Sequence, residues 1–194
     1  MIINVRGANG SGKTTAVRWF LEGASEISLA DYRTPKGIVR FVTGYRGKND
    51  VCVVGPYKTN CGGLDAVPNF ETTFRCLRVG ISTYDDVLCE GVLSSTVFGS
   101  WFDFAKDMKA QGEVFALAYL RVSAAECIRR VYLRNGGKKI NEDLIRDKVK
   151  AVEATRLKFK GAGFPVYDLP LEEGAAGPAL AAIFDGTGEA FRAS

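Results

Sequence analysis

Gly7-Ala-Asn-Gly-Ser-Gly-Lys-Thr14 fits the pattern G-x-x-x-x-G-K-[ST] at every fixed position. An apolar run, Met1 to Val5, precedes it and a helical pattern from Lys13 to Gly23 follows it. That is the strand–turn–helix setting in which such a loop works. Chemistry dictates the spacing. Glycines let successive backbone N–H groups turn inward around a phosphate, and the helix that follows presents its positive end. Lys13 then reaches the β- and γ-phosphates, and Thr14 offers a hydroxyl to Mg²⁺. The stretch predicts a nucleoside triphosphate site made by Gly7, Asn9, Gly10, Ser11, Gly12, Lys13, Thr14 and Thr15, with ATP and Mg²⁺ as cofactors. The alternative, a glycine-rich turn with a coincidental lysine, arises by chance in such a chain on the order of one per cent of the time.

Outward from the loop, short β-rich runs alternate with longer helical patterns, without internal repeats, low-complexity tracts or long linkers. The alternation predicts an α/β chain with the three-layer P-loop NTPase-type fold and a mostly parallel sheet. A single domain is expected over 1–194, carrying an inserted hairpin and acceptor-site segment at 35–66 and a helical lid at 123–162. Strands are expected at Gly37 to Thr43 and Asp50 to Val54, joined by the turn-like Gly44-Tyr-Arg-Gly-Lys-Asn49. Further strands are expected at Val87 to Cys89, Val114 to Val122 and Phe164 to Leu169. Helices are expected from Pro68 through Arg78, Ser95 to Lys109, Asn141 to Lys160 and Pro178 to Phe184. Another runs to Arg134 behind a capping box formed by Ser123 and Glu126.

With 46% apolar and 25% charged residues, the 194-residue chain has an ordinary globular composition and the length for one sizeable core. No run approaches the ~18 apolar residues of a membrane span, and the start of the chain enters a strand without a secretory pattern. A soluble cytoplasmic protein with no membrane partner is expected. The cysteines Cys52, Cys61, Cys76, Cys89 and Cys127 are scattered without CxxC spacing, so neither a disulfide framework nor a zinc site is read from them. Reduced, mostly buried thiols are expected. Histidine is absent, and proton handling falls to carboxylates. A net charge of +4 and a pI near 8.8 are compatible with a polyanionic partner, without the charge density of a dedicated nucleic-acid-binding domain.

Asp85-Asp-Val-Leu-Cys-Glu-Gly91 ends an apolar strand on an acid. A sheet neighbour of the loop strand would aim Glu90 at the γ-phosphate, to hold Mg²⁺ or to orient an acceptor hydroxyl. The alternative is a solvated acid at a strand end. Arg130 and Arg134 are spaced i,i+4 and share one helix face. Followed by Gly136-Gly137 and Lys138-Lys139, they would suit a lid that neutralises charge in transfer; equally, they complement a helix C-terminus. Val54-Gly-Pro-Tyr-Lys-Thr-Asn-Cys-Gly-Gly-Leu-Asp65 closes on an acid after paired glycines that permit close approach of a ligand. Asp65 is the first choice of general base, and reads as readily as a helix cap. Arg33, Lys36, Arg40, Arg46, Lys48 and Lys58 surround it in sequence. Interleaved with Tyr32, Phe41, Tyr45 and Tyr57, they would grip a phosphodiester chain and stack a base, or form a solvated basic face.

Taken together, the loop, the G-x-Y-x-x-x-C-G-G-x-D segment at 55–65, the strand ending Glu90-Gly91 and the arginine-bearing helix resemble bacteriophage P-loop kinases, in particular the 5-hydroxymethyluracil DNA kinases. More distantly they are similar to nucleoside monophosphate and polynucleotide kinases. The resemblance covers most of residues 1–170 and implies ATP-dependent phosphorylation of a modified base in DNA, with DNA as partner and the host cytoplasm as location. Lys13, Asp65, Glu90, Arg130 and Arg134 would be the catalytic residues, and Thr14 and Glu90 the metal ligands. A flipped base would stack on Tyr45 or Tyr57. The alternatives are a kinase of free nucleosides or nucleoside monophosphates and an ATP-hydrolysing module without an acceptor. Gly91-Val-Leu-Ser replaces the Asp-Arg-Tyr type signature of thymidylate kinases, N-K-x-D is missing, and the D-x-x-G match at Asp185 to Gly188 falls too late for a GTPase switch.

Overall fold

The computed structural model describes residues 1–58 and 62–193, so Thr59, Asn60, Cys61 and Ser194 lie outside the described residues. The strands are β1 (Ile2–Arg6), β2 (Ser25–Arg33), β3 (Val39–Arg46), β4 (Cys52–Val54), β5 (Val87–Glu90), β6 (Phe115–Tyr119) and β7 (Val166–Asp168). They form one sheet in the order β2-β3-β4-β5-β1-β6-β7. From β4 to β7 all pairings are parallel, with Val5 opposite Glu90 and Ala118; β3 runs antiparallel to both β2 and β4. The strand order reverses at β1, so the turn leaving β1 opens into the crevice at the carboxyl edge, where α/β sheets bind ligands.

Both faces of the sheet are covered, which is why its central strands are apolar at nearly every position. Ile2 faces one core cluster with Phe115, Leu117 and Tyr119, whereas Ile3 and Val5 face another with Ala116 and Ala118. Helices α2 (Phe70–Thr83), α4 (Gly99–Ala110) and α6 (Glu142–Gly161) cover the first face through Leu77, Trp101, Phe104, Met108 and Phe159. Helices α1 (Lys13–Arg18) and α7 (Ala176–Phe184) cover the second through Val17, Leu180 and Ile183. Each such side chain contributes about 1.5–3 kcal/mol on burial. Arg6, fully buried at the end of β1, lies over the Phe159 and Trp101 rings at 4.7 and 5.6 Å and donates to Asn4 Oδ1 at 3.1 Å. It ties the last residue before the glycine-rich loop to the aromatic core. Among the described residues no helix is long and apolar enough to cross a membrane.

Three local differences from expectation have physical causes. Ser25–Arg33 forms a strand that the sequence pattern hides, because a register shift between Ser28 and Ala30 breaks its alternation. The β2–β3 turn falls between Arg33 and Val39; the expected hairpin is the antiparallel pair of β3 and β4, its turn narrowed to 47–51 because Gly44 to Arg46 pair with β4. The expected helix from Ser95 to Lys109 is two: α3 (Val92–Thr96) starts directly behind Glu90, and α4 follows after a break. In α3, Ser94 and Thr96 hydroxyls bond back to the carbonyls of Gly91 and Val92 at 2.9 and 3.2 Å, competing with the helical ladder. Thr155 of α6 takes the Ser95 carbonyl at 2.9 Å.

The described cysteines, Cys52, Cys76, Cys89 and Cys127, are free and buried. Burial pushes the Cys52 and Cys89 thiols up to about 12 and Cys76 to about 11. At pH 8 only about one molecule in ten thousand carries Cys52 or Cys89 as the reactive thiolate. Iodoacetamide at pH 8 is expected to leave these three unlabelled in the native protein, read by peptide mass mapping, and to label them in urea. Rapid native labelling of Cys52 or Cys89 would contradict the packing.

Candidate active site

The loop after β1 turns through Gly10 and Gly12, whose φ angles of 81° and 99° favour glycine. At Gly10 a Cβ would also stand 2.6 Å from the Cys127 carbonyl oxygen, so the loop and helix α5 (Ala124–Arg134) approach backbone to backbone. Ser95, in α3, accepts from the Gly7 amide at 3.1 Å and fixes the loop entrance. The Ser11 hydroxyl and Asn9 Oδ1 are buried without a hydrogen-bond partner among the described residues. Lys13 is 5% exposed, and its ammonium donates to the Gly7 and Ala8 carbonyls at 2.8 and 3.0 Å.

Opposite Lys13 stands Glu90, 2% exposed at the end of β5, accepting from the Thr14 hydroxyl at 2.8 Å. Burial raises the Glu90 carboxyl above its usual range, against the pull of the Lys13 ammonium and the Thr14 hydrogen bond; burial likewise lowers Lys13. Adjacent ligands in an octahedral Mg²⁺ shell, about 2.1 Å from the metal, lie about 3.0 Å apart. The Thr14 Oγ1 to Glu90 Oε1 spacing therefore fits two adjacent positions on such an ion. Among the described residues no cluster of three acidic, cysteine or histidine side chains would hold a metal alone.

In the glycine-rich segment after β4 the described residues pack closely on their own chain. A Cβ on Gly63, where φ is 75°, would meet the Glu90 carbonyl at 2.4 Å, and one on Gly55 would meet Gly63 itself at 2.6 Å. The close approach is of the chain to Glu90, although Gly62 lines the cavity above. Asp65 ends the segment and accepts from the Val92 amide at 2.8 and 3.0 Å and from Leu93 at 3.1 Å. It thus caps α3 while also lining the cavity.

That cavity, about 440 Å³, is lined by the loop, Asp65, Glu90 and the cations Lys13, Arg18, Arg130 and Arg134. Arg130 and Arg134 do share a face toward it, and Arg130 stands over Gly12. The Arg130 guanidinium also donates to Glu126 at 2.7 Å, which Arg129 shares. These hydrogen bonds hold Glu126 down to about 2. The capping box is accordingly half formed: Ser123 accepts from the Glu126 amide at 3.3 Å, while the Glu126 carboxylate serves the arginines. Arg18 escapes sequence reading; its signal is its place one turn after Thr14. It donates to the Tyr57 carbonyl at 3.2 Å.

Two further cavities flank the first. One, about 580 Å³, shares Gly12, Thr15, Arg18 and Arg130 with it and runs toward 170–177; the other, about 240 Å³, shares Asp65 and opens between α2 and α3. Tyr57 is 7% exposed, packed in the core and edge-on to Tyr45 at 6.1 Å. The Tyr57 ring is not free to stack a base, which corrects the expectation for that residue, whereas Tyr45 is only partly buried. Of the cations near the ribbon, Arg46, Lys48 and Lys58 pair with Asp50, Glu22 and Glu26. Arg33, Lys36 and Arg40 lie exposed at its tip, with Phe41 64% exposed. Gly44 pairs with Val54 at the end of β4, so Val39 stands up to roughly 16 Å beyond the sheet edge, on the side of the three cavities.

The profile of the 5-hmdU DNA kinase family matches residues 1–170. A 5-hmdU DNA kinase of Pseudomonas phage M6 is 30% identical over 182 residues, 88% of this chain and 91% of that protein. One of Bacillus phage SP10 is 28% identical over 178 residues, 87% of this chain and 26% of that longer protein. Deoxyadenosine kinase from M. mycoides with bound dATP superposes with a TM-score of 0.42 at 14% identity, covering 95% of this chain and 100% of that one.

Proposed function

We propose, because the chain belongs to the 5-hmdU DNA kinase family, that it transfers the γ-phosphoryl group of ATP to the hydroxymethyl oxygen of 5-hydroxymethyluracil in DNA. The observation that carries this reading is the single polar cavity joining Lys13, Thr14, Glu90 and Asp65 to Arg130 and Arg134. Charge builds on the transferring group and on the bridging oxygen to the β-phosphate, so catalysis is chiefly positioning and electrostatic stabilisation. Loop amides and Lys13 hold the β- and γ-phosphates, and Arg18, Arg130 and Arg134 surround the rest. The cavity running to 170–177 takes the adenosine. Thr14 and Glu90 would hold Mg²⁺, which when bound would neutralise phosphate charge. The hydroxymethyl oxygen attacks the γ-phosphorus, its proton passes to Asp65, and the bond to ADP breaks. The segment after α5, with Gly136-Gly137, is the lid.

DNA as acceptor agrees with the ribbon tip, whose Arg33, Lys36 and Arg40 lie where a strand entering the crevice would run. On this reading the protein works where its DNA substrate is, in the cytoplasm. Binding of a hydroxymethyluracil oligonucleotide is expected to weaken linearly in log–log salt titrations. Each alanine replacement of these three cations should lower the slope by about one. An unchanged slope in the triple variant would remove the tip from the interface.

Incubation with γ-labelled ATP tests the reaction itself. Label is expected in hydroxymethyluracil DNA and not in thymine DNA of the same sequence. Preferential labelling of the free nucleoside would turn the assignment to a small-molecule kinase, and ATP hydrolysis without any labelled acceptor would leave an ATPase.

A further inference from the structure

Resting on the proposed reaction, we infer that the tip of the β2–β3 ribbon is a wedge for duplex DNA. It enters the major groove beside the modified base and drives Phe41 into the stack as that base leaves. Phe41 is the most exposed large apolar side chain among the described residues, and Ile38 and Val39 near it are exposed as well. Scattered exposed apolar residues are ordinary, whereas three of them within four positions form a patch.

The patch has a shape made in advance. Thr34-Pro35-Lys36-Gly37 closes the ribbon: the Gly37 amide donates to the Thr34 carbonyl at 2.8 Å, the Thr34 amide donates to the Ile38 carbonyl at 2.9 Å, and Gly37 takes a φ of 77°. Proline in second place and a left-handed glycine in fourth suit a type I turn followed by a bulge. The Ile38 amide also donates to the Thr34 hydroxyl at 3.2 Å. A tip ordered before binding loses little freedom on binding. Val39 pairs with Arg33 and Phe41 with Asp31, so the pleat puts these four on one face, with Tyr32 and Arg40 on the other. The Asp31 carboxylate is met by Arg75 of α2 at 3.8 Å.

Charge names the partner. Residues 32–41 hold Arg33, Lys36 and Arg40 and no carboxylate, which fits a polyanion rather than a protein surface of mixed sign. Shape selects the duplex. A two-stranded ribbon fits the major groove, about 12 Å wide, and the 5-substituent of a pyrimidine lies in that same groove. A ribbon standing up to roughly 16 Å beyond the sheet edge, on the side of the cavities, meets the duplex at the base that the crevice must receive. Extruding that base leaves a gap in the stack, and phenylalanine is one of the apolar side chains that part base steps.

Kinetics on one hydroxymethyluracil strand, alone and annealed to its complement, tests this. Phe41→Ala is expected to lower the ratio of kcat/KM for the duplex to that for the single strand about tenfold or more, and Phe41→Trp to restore it. With 2-aminopurine next to the modified base, binding of the unaltered protein to the duplex without ATP should raise the fluorescence as the stack opens; Phe41→Ala should leave it flat. Thermal melting checks that both variants fold. If Phe41→Ala leaves either the ratio or the fluorescence rise as in the parent, the wedge is overturned and the kinase assignment stands. Transfer by the unaltered protein to the single strand but never to the duplex has the same consequence. A dimer that Phe41→Ala splits, with the ratio unmoved, would overturn the wedge in favour of a second copy of this chain on that face. Absence of transfer to any DNA by the unaltered protein would overturn the assignment and the wedge with it.

Discussion

Lys13→Ala is expected to lower kcat for phosphoryl transfer about a thousandfold, the scale on which a charge-stabilising group at a transferring phosphate acts. Its ammonium is buried, held by the Gly7 and Ala8 carbonyls and flanked by Glu90 and Asp65 across the cavity. In such a site a cation acts at low effective dielectric, where its attraction for a developing anion exceeds what water would allow. Alanine removes that charge together with two hydrogen bonds, but also relieves the cost of burying an ammonium. Thermal melting is therefore expected within about 4 °C of the parent. Steady-state kinetics with saturating acceptor reads the effect. Turnover within threefold of the parent would contradict the role.

Asp65→Asn separates the two readings that the sequence leaves open. Asparagine keeps one oxygen for the Val92 and Leu93 amides, so the cap on α3 survives, while the group able to take a proton is lost. A fall in kcat of about a hundredfold to ten-thousandfold is expected, with melting unchanged. Asp65→Ala should show the same loss of rate and in addition lose about 1 kcal/mol from the missing cap, seen as a melting decrease of about 2–4 °C. If Asp65→Asn turns over normally and Asp65→Ala only melts lower, the carboxylate is a cap and nothing more.

The loop was legible because its spacing is a chemical requirement: Gly10 and Gly12 must be glycine for backbone reasons, and Lys13 and Thr14 must follow at once. Glu90 was legible as the end of an apolar strand beside β1. What lay hidden was tertiary. The bulge in β2 erased its alternation. The split between α3 and α4 depends on hydroxyls bonding to their own turn and on Thr155, sixty residues away. Gly62 and Gly63 looked like a ligand cradle, because a sequence shows that a close approach is needed without showing to what. Tyr45 and Tyr57 had the composition of a stacking pair and meet edge to face, with Tyr57 spent on the core, while Phe70 and Trp101, which wall the third cavity, carried no local signal.

The position of the transferred phosphate tests the central claim most directly. Hydroxymethyluracil DNA treated with the protein and ATP would be digested to nucleosides and resolved by mass spectrometry. The account predicts deoxynucleosides bearing one phosphoryl group on the 5-hydroxymethyl oxygen of the base, appearing in step with ADP. Phosphate found only at 5′-hydroxyl termini, or ADP formed with every base unmodified, would contradict it.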